Sequence, residues 1–239
     1  MYIRLSEAYR YINENEFYNH NAVVIDVLRA TSTMITALYN GCRHIVPVKK
    51  AEDAIRMQKD MDLVSEGILG GEQDAKRISG FDLGNSPLEY TRDNIGRKVI
   101  FLSTTNGTNA IVNAKHAKKL YIGALNNASA VARRVAAGAA DTIISCAGTG
   151  GELSVDDFLT AGAIIDRIKN MDQEVRLNDS AIAAQRLYQM FCGKLGKAMA
   201  GSLHYEKLKK LKFDADIEYC LREDIIDLVP QYNDGLVVK

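Results

Sequence analysis

The chain has 239 residues, and its 30 lysines and arginines balance 30 aspartates and glutamates, so the formal net charge is zero. Apolar residues make up 47% and charged residues 25%, which is typical of a globular protein with a sizeable core. A zero net charge argues against a nucleic-acid-binding protein and against a disordered chain. No segment reaches the ~20 apolar residues that span a bilayer, so we expect no membrane partner.

The first residues become polar too early for a signal peptide, and the cysteines show no CxxC spacing. We therefore expect a cytoplasmic protein with reduced, mostly buried thiols. The cysteines are Cys42, Cys146, Cys192 and Cys220.

Short apolar runs alternate with helical patterns through most of the chain. Strands are predicted at 22–27, 44–48, 63–65, 98–102, 120–122 and 142–146. Helices are predicted at 32–40 (with Gly41 as C-cap), 51–59, 106–114, 128–137 and 155–168. This alternation predicts an α/β fold in three layers, with a mostly parallel or mixed sheet and helices on both faces.

From about residue 180 the pattern becomes helical, with helices at 180–192 and 203–211 and a final strand pair at 225–229 and 235–238. Residues 181–212 carry seven basic residues and one acidic residue, whereas 213–227 carry six acidic residues and one basic residue. We interpret these as solvated faces, although they could also form a self-complementary interface in a homo-oligomer. We expect one α/β domain over residues 1–239, with a helical C-terminal section from about residue 180.

Four polar loops follow predicted strands, at the sheet edge where parallel α/β proteins bind ligands. The first places Asp26 at the end of an apolar strand, beside Arg29 and three hydroxyls at 31–33. A buried aspartate is costly unless it is paired or binds a metal, and a helix N-terminus favours anions. Two interpretations stay open: a functional cluster, or a helix cap at Thr31 or Ser32 with Asp26 paired to Arg29.

The second polar segment, residues 70–87, shows no regular periodicity, which favours a functional loop. Glu72 and Asp82 could bind a hard cation, and Lys76 and Arg77 could bind a phosphate. The serine, proline and glutamate of residues 86–89 form a capping-box pattern, which predicts a helix start there.

The third and fourth polar loops are residues 103–108 and 146–157. The hydroxyls, amide and glycine of the third suit an oxyanion and equally suit a capped turn. In the fourth, glycines permit close approach of a ligand to the backbone. Ser154 and Asp157 fit a capping box, whereas Asp156 has no such local role.

The four histidines lie outside these loops, and none has a metal-ligand spacing. The serine-hydrolase, P-loop and dinucleotide-binding glycine motifs are absent from the sequence. Carboxylates, basic groups and hydroxyls without histidine or cysteine ligands favour Mg²⁺-dependent phosphoryl chemistry on a small anionic phosphorylated substrate.

The polar loops also carry a family resemblance. The chain resembles the 2-phosphosulfolactate phosphatase family, in blocks that cover roughly residues 20–170. The resemblance implies a single α/β fold peculiar to that family. It also implies Mg²⁺-dependent hydrolysis of 2-phosphosulfolactate to sulfolactate and phosphate, in coenzyme M biosynthesis. The blocks are 24–33, 71–72 with 80–87, 103–108, and 146–162 with its acidic pair Asp156-Asp157.

We expect a catalytic set of Asp26, Arg29, Glu72 and Asp82. Asp26, Glu72 and Asp82 would bind the metal, together with Asp156 or Asp157. Arg29 and Lys76 would hold the phosphoryl, carboxylate or sulfonate oxygens. Further substrate-binding candidates are Thr31, Ser32, Thr33, Asn85, Ser103, Thr104, Thr105, Asn106 and Gly107.

Two alternatives stay open. One is an aspartyl-phosphate phosphatase of the haloacid dehalogenase type with Asp26 as nucleophile in place of a metal-activated water. That family requires a second aspartate two residues later, where this chain has Leu28. The other alternative is a non-catalytic module that binds a phosphorylated or sulfonated small acid.

Overall fold

The computed structural model describes residues 1–61, 63 and 65–239. The strands are β1 (Tyr2–Ser6), β2 (Asn21–Ile25), β3 (His44–Val48), β4 (Gly67–Gln73), β5 (Lys76–Arg77), β6 (Val99–Ser103), β7 (Lys119–Gly123), β8 (Thr142–Cys146), β9 (Arg176–Leu177), β10 (Gln231–Asn233) and β11 (Leu236–Val238). The helices are α1 (Ala30–Tyr39), α2 (Ala51–Asp60), α3 (Arg92–Ile95), α4 (Gly107–Asn113), α5 (Ala128–Gly138), α6 (Val155–Met171), α7 (Asp179–Phe191), α8 (Leu195–Met199), α9 (Leu203–Lys210) and α10 (Asp214–Cys220). Among these helices, none is long and apolar enough to cross a membrane.

The described strands form one mixed sheet in the order β5-β4-β6-β3-β11-β10-β7-β2-β8-β1-β9. Strands β4, β6 and β3 are parallel to one another, and so are β7, β2, β8, β1 and β9. The C-terminal hairpin β10–β11 lies between these two groups and pairs antiparallel with both. The mostly parallel α/β prediction is therefore confirmed, with the antiparallel hairpin joining two parallel halves.

Three antiparallel pairings connect the two halves, namely β3 with β11, β11 with β10, and β10 with β7. Because this number is odd, the strands of one half run opposite to those of the other. Each step between neighbouring strands also adds about 20–25° of twist. Six steps separate β4 from β2, so the accumulated twist of roughly 120–150° offsets most of this reversal. The loops that follow β2 and β4 can therefore line one cavity.

Strand β6 illustrates how both faces of the sheet are covered. Val99 and Phe101 pack with Ala54 of α2 in a small apolar cluster, whereas Ile100 and Leu102 belong to the main core. Because alternate residues of a strand point to opposite faces, apolar layers lie on both sides of β6. This arrangement agrees with the predicted three layers.

The segment predicted as a long polar loop is partly a β-hairpin. Gly70 and Gly71 lie within β4, and β5 follows after a two-residue turn at Asp74 and Ala75, both with positive φ. The two glycines hid the strand pattern because they have no side chain that contributes to it. Glycine is required at position 71, since a Cβ there would collide with the Ser103 carbonyl oxygen. A strand was predicted at 63–65, and residue 64 of that range lies outside the described residues. The observed strand β4 begins later, at Gly67.

Two further predictions need correction. The pattern at 86–89 forms only the short 3-10 turn Pro87–Glu89, because the Ser86 hydroxyl donates to Asp216 and does not cap the turn. The strand predicted at 225–229 is irregular, since its backbone bonds to the turn at 125–127, and the strand forms at Gln231–Asn233. The predicted helices at 180–192 and 203–211 are observed as α7 and α9.

Candidate active site

A cavity of about 210 Å³ lies where the loops after β2, β4 and β8 and the start of α4 meet. Each of the four predicted polar loops therefore contributes residues, and α9 closes the cavity from the C-terminal section. The lining consists of Asp26, Leu28, Arg29, Glu72, Asp74, Ala75, Asn85, Thr105, Asn106, Gly148, Thr149, Gly150, Ser154, Asp156, Asp157, His204, Lys207 and Leu208.

Asp26 follows β2 and is 8% exposed. Its Oδ1 accepts a hydrogen bond from the Ala30 N–H at 3.2 Å. Gly107 at the start of α4 packs so closely that a Cβ there would lie 2.7 Å from Asp26 Oδ2. Burial raises the pKa of Asp26 to about 6, although the charge of His204 and the Ala30 hydrogen bond act in the opposite direction. A nearby cation would favour the ionised form of this buried carboxyl group.

Glu72 lies near the end of β4 and connects two loops. Its Oε1 accepts a hydrogen bond from the Thr105 N–H at 2.7 Å, and its Oε2 accepts one from the Ala75 N–H at 2.7 Å. These two bonds hold the carboxylate in one orientation at the cavity wall, as a preorganised site requires.

Asp157 connects the loops after β2 and β8. Its Oδ1 accepts a hydrogen bond from the Val27 N–H at 2.8 Å, and its Oδ2 accepts one from the Gly148 N–H at 3.0 Å. The capping box predicted with Ser154 does not form, since Ser154 makes no side-chain cap bond. The carboxylate is used instead to join two separate loops.

Asp156 lies beside Asp157, and both residues are 2% exposed. Asp156 accepts a hydrogen bond from the Ser154 hydroxyl. Burial, followed by repulsion from Asp156 and Asp26, raises the pKa of Asp157 well above its ordinary value. The crowding of buried carboxyl groups is unfavourable without a compensating positive charge.

The donor chemistry of the cavity suits Mg²⁺. Carboxylate oxygens from Asp26, Glu72, Asp156 and Asp157 line it, and the buried Asn85 Oδ1 has no hydrogen-bond partner among the described residues. Within the described residues, no three His, Cys, Asp or Glu side chains form a ready-made metal cluster. Mg²⁺ usually keeps several waters and uses only one or two carboxylates, so it does not require such a cluster.

Arg29 lines the cavity, but its guanidinium is already bonded. Nη1 donates to the Asp216 carboxylate, Nη2 donates to the Ala75 carbonyl at 2.8 Å, and the group lies 4.0 Å from the centre of the Phe213 ring. The alternative pairing of Arg29 with Asp26 is not observed, since Asp216 is its ionic partner. Arg29 therefore anchors the loop after β2 to the C-terminal helices.

The hydroxyls at the start of α1 face the backbone and do not line the cavity. Thr31 Oγ1 accepts from the Asp26 N–H at 3.1 Å, Ser32 donates to the Val27 carbonyl at 2.8 Å, and Thr33 donates to the Asn85 carbonyl at 2.9 Å. These bonds fix the loop that carries Asp26.

Several other predicted residues lie outside the cavity. The exposed Asp82 accepts a hydrogen bond from the Leu69 N–H at 2.8 Å. Lys76 faces an outer groove beside α9. Ser103 and Thr104 line a separate depression on the other side of Glu72. Of the third loop, Thr105 and Asn106 reach the cavity, and Gly107 packs against Asp26 behind it.

His204 and Lys207 line the cavity and were missed from the sequence. His204 Nε2 donates a hydrogen bond to the Leu28 carbonyl, which ties α9 to the loop after β2. Lys207 Nζ lies 3.4 Å from Asp74 Oδ1 at the tip of the β4–β5 hairpin. Lys207 belongs to the basic stretch interpreted as a solvated face; its side chain is exposed, as that interpretation expects, and it also lies at the cavity.

A family model described as 2-phosphosulpholactate phosphatase matches residues 8–235. A relative from Caldanaerobacter subterraneus subsp. tengcongensis is 40% identical over 237 residues, covering 99% of this chain and 98% of the relative. A relative from Clostridium novyi is 44% identical over 229 residues, covering 95% of each chain. Both are named "probable 2-phosphosulfolactate phosphatase". The chain belongs to the 2-phosphosulfolactate phosphatase family. It is an enzyme of the phosphoric monoester hydrolase class.

The match to the 2-phosphosulfolactate phosphatase family extends beyond the four blocks recognised in the sequence, and it includes every residue that lines the cavity. The C-terminal helices and the hairpin strand β10 also lie within the matched range. The family match therefore includes the C-terminal section as far as residue 235.

Proposed function

We propose that this chain hydrolyses 2-phosphosulfolactate to sulfolactate and inorganic phosphate in a Mg²⁺-dependent reaction, as a cytoplasmic enzyme of coenzyme M biosynthesis. The names of the family and of its relatives support the substrate. The observation that carries the Mg²⁺ requirement is the set of buried carboxyl groups lining one cavity.

The charge of the cavity conflicts with the charge of the substrate unless a cation is present. The substrate carries phosphate, carboxylate and sulfonate groups, and the cavity presents Asp26, Glu72, Asp156 and Asp157. Unscreened charges of the same sign in a low-dielectric site repel strongly. One or two of these carboxylates would bind Mg²⁺, and its charge would offset the others. When bound, Mg²⁺ neutralises phosphoryl charge and lowers the pKa of water.

The residues of the chain hold the site in shape for this chemistry. Glu72 fixes the start of α4 through Thr105, and Asp157 joins the loops after β2 and β8. We favour water over Asp26 as the nucleophile. The haloacid dehalogenase alternative needs a second aspartate at the position of Leu28, whose side chain has no carboxylate. The Leu28 carbonyl accepts a hydrogen bond from His204.

The test is a phosphate-release assay with 2-phosphosulfolactate and other short phosphorylated acids, with Mg²⁺ varied and with EDTA. We expect Asp26→Asn to lower the rate by about a hundredfold or more, in the range seen when a key electrostatic group is lost. Asp82→Asn is the matched control, because Asp82 lies outside the cavity. Metal-independent release, or near-normal turnover by the Asp26→Asn variant, would overturn the proposal.

A further inference from the structure

Helix α9 supplies positive charge to a cavity whose strand-end loops supply mostly carboxylates. His204 and Lys207 are three residues apart and therefore lie on one face of the helix, toward the cavity. Leu208, which is 1% exposed, lies on the same side and packs into the core. The carboxylates of the cavity thus come mainly from the loops that follow strands, whereas α9 contributes a lysine and a histidine.

Lys207 is a cation that can exchange its partner. Arg29 also lines the cavity, but its charge is compensated by the buried Asp216. Lys207 instead pairs with Asp74, and the two side chains are 44% and 85% exposed. An ion pair this exposed contributes little to stability, so Lys207 can leave Asp74 at low cost.

The Lys207–Asp74 pair stands at the boundary between two spaces. Both residues line the inner cavity, and both also line an outer groove of about 680 Å³. Lys76 and Lys210 contribute to the same groove. Glu206 also lines this groove, and Lys207 lies where the groove meets the inner cavity.

The substrate carries a sulfonate and a carboxylate besides its phosphoryl group. Its phosphoryl group belongs beside the carboxylates and their cation, where the chemistry proposed above takes place. Its sulfonate lies one bond farther from the central carbon than its carboxylate does, so it extends farthest toward the mouth of the cavity. A sulfonate beside the acidic wall would be repelled, whereas a lysine ammonium provides a charge-assisted hydrogen bond.

We propose that Lys207 is a specificity-determining residue that leaves Asp74 and binds the sulfonate of the substrate. His204 is a positioning residue, since its hydrogen bond to the Leu28 carbonyl holds α9 over the cavity. This inference rests on the proposed function and gives it a molecular basis for substrate selection.

The test compares the wild type with Lys207→Met, Lys207→Arg and the control Lys210→Met, which changes a lysine of the outer groove on the same helix. Each protein is assayed with 2-phosphosulfolactate and with 2-phospholactate, which lacks the sulfonate, as substrate or competitive inhibitor. The inhibition constant of inorganic phosphate is measured as well, and thermal unfolding confirms that the variants are folded.

We expect Lys207→Met to lower kcat/KM for 2-phosphosulfolactate about 10- to 100-fold, the loss of one charge-assisted hydrogen bond. The values for 2-phospholactate and phosphate should stay near those of the wild type, Lys207→Arg should recover part of the loss, and Lys210→Met should resemble the wild type. Equal losses for both substrates, a matching loss of phosphate affinity, or no loss at all would overturn the inference. A wild type that releases no phosphate from 2-phosphosulfolactate would instead refute the proposed function.

Discussion

The buried ion pair between Arg29 and Asp216 should stabilise the fold and thereby hold the active-site loop in place. The two side chains are 2% and 5% exposed. Asp216 also accepts a hydrogen bond from Ser86 Oγ at 2.7 Å, and Arg29 donates to the Ala75 carbonyl at 2.8 Å. One charged pair therefore joins α10, the β4–β5 turn and the loop after β2.

Replacing Asp216 with asparagine keeps the shape of the side chain but leaves the Arg29 charge buried without its partner. Such a loss costs about 3–5 kcal/mol. In a chain of this length it should lower Tm by roughly 6–20 °C. The double variant Arg29→Met/Asp216→Leu should be less destabilised than Asp216→Asn, because it leaves no unpaired charge.

Urea and thermal unfolding measure these changes, and phosphate release is assayed well below the lowered Tm. The exposed pair Arg133–Asp227, with side chains 55% and 83% exposed, provides the control. Arg133→Met should cost less than about 1 kcal/mol. If Asp216→Asn unfolds like the wild type, or if Arg29→Met loses activity with no loss of stability, Arg29 acts on the substrate and the structural role is refuted.

Two further predictions concern Asp26. Gly107→Ala would place a Cβ 2.6 Å from Ala30 Cβ and 2.7 Å from Asp26 Oδ2, so it should cost about 1–3 kcal/mol and reduce phosphate release. Gly138→Ala, whose Cβ would meet its nearest neighbour only at 3.6 Å, is the control in both assays, and equal effects would contradict the packing argument. Because burial raises the folded-state pKa of Asp26 to about 6, its contribution to the stability of the metal-free protein should be complete below the unfolded-state pKa near 4. That contribution should be lost as the pH rises through about 6. The unfolding free energy of the EDTA-treated wild type, relative to Asp26→Asn, should fall by roughly 3 kcal/mol between about pH 4 and pH 7, whereas a pH-independent difference would contradict this assignment.

The sheet was predictable where strands are buried on both faces, because such strands appear as continuous apolar runs. Thr142–Cys146 has the predicted bounds for this reason. Strand β1 was not predicted, since Arg4 interrupts its apolar pattern and the burial of its residues is mixed. The second strand of the hairpin was predicted at 235–238 and forms as β11, but the place of the hairpin in the sheet was hidden because its partners β7 and β3 lie far away in the sequence.

The site was predictable where its residues directly follow strands. Asp26 was recognisable because a carboxylate at the end of an apolar strand requires a partner. Asp157 lies in the first turn of α6, where its local pattern predicted only a helix cap, and its metal-binding role was suggested by the family resemblance. The fixed placement of Glu72 depends on the Thr105 and Ala75 N–H groups, which no local pattern reveals. Lys207 could not be predicted, since a basic helix has the same local pattern whether it faces solvent or covers the edge of a distant strand.

The end of the chain completes the active site in two physically different ways. The β10–β11 hairpin is the connection through which the two parallel halves share one sheet, and so it fixes their relative orientation. Helix α9 then places Lys207 opposite carboxylates that come from both halves, Asp26 from one and Glu72 from the other. Pairing between segments so distant in sequence forms slowly because the loop-closure cost precedes the contacts that offset it. The cavity cannot assemble from the residues of the four polar loops alone, because the hairpin joins the two halves of the sheet and α9 supplies Lys207. Its carboxylates are brought together by the sheet, and its cationic side is added by the C-terminal section that also closes that sheet.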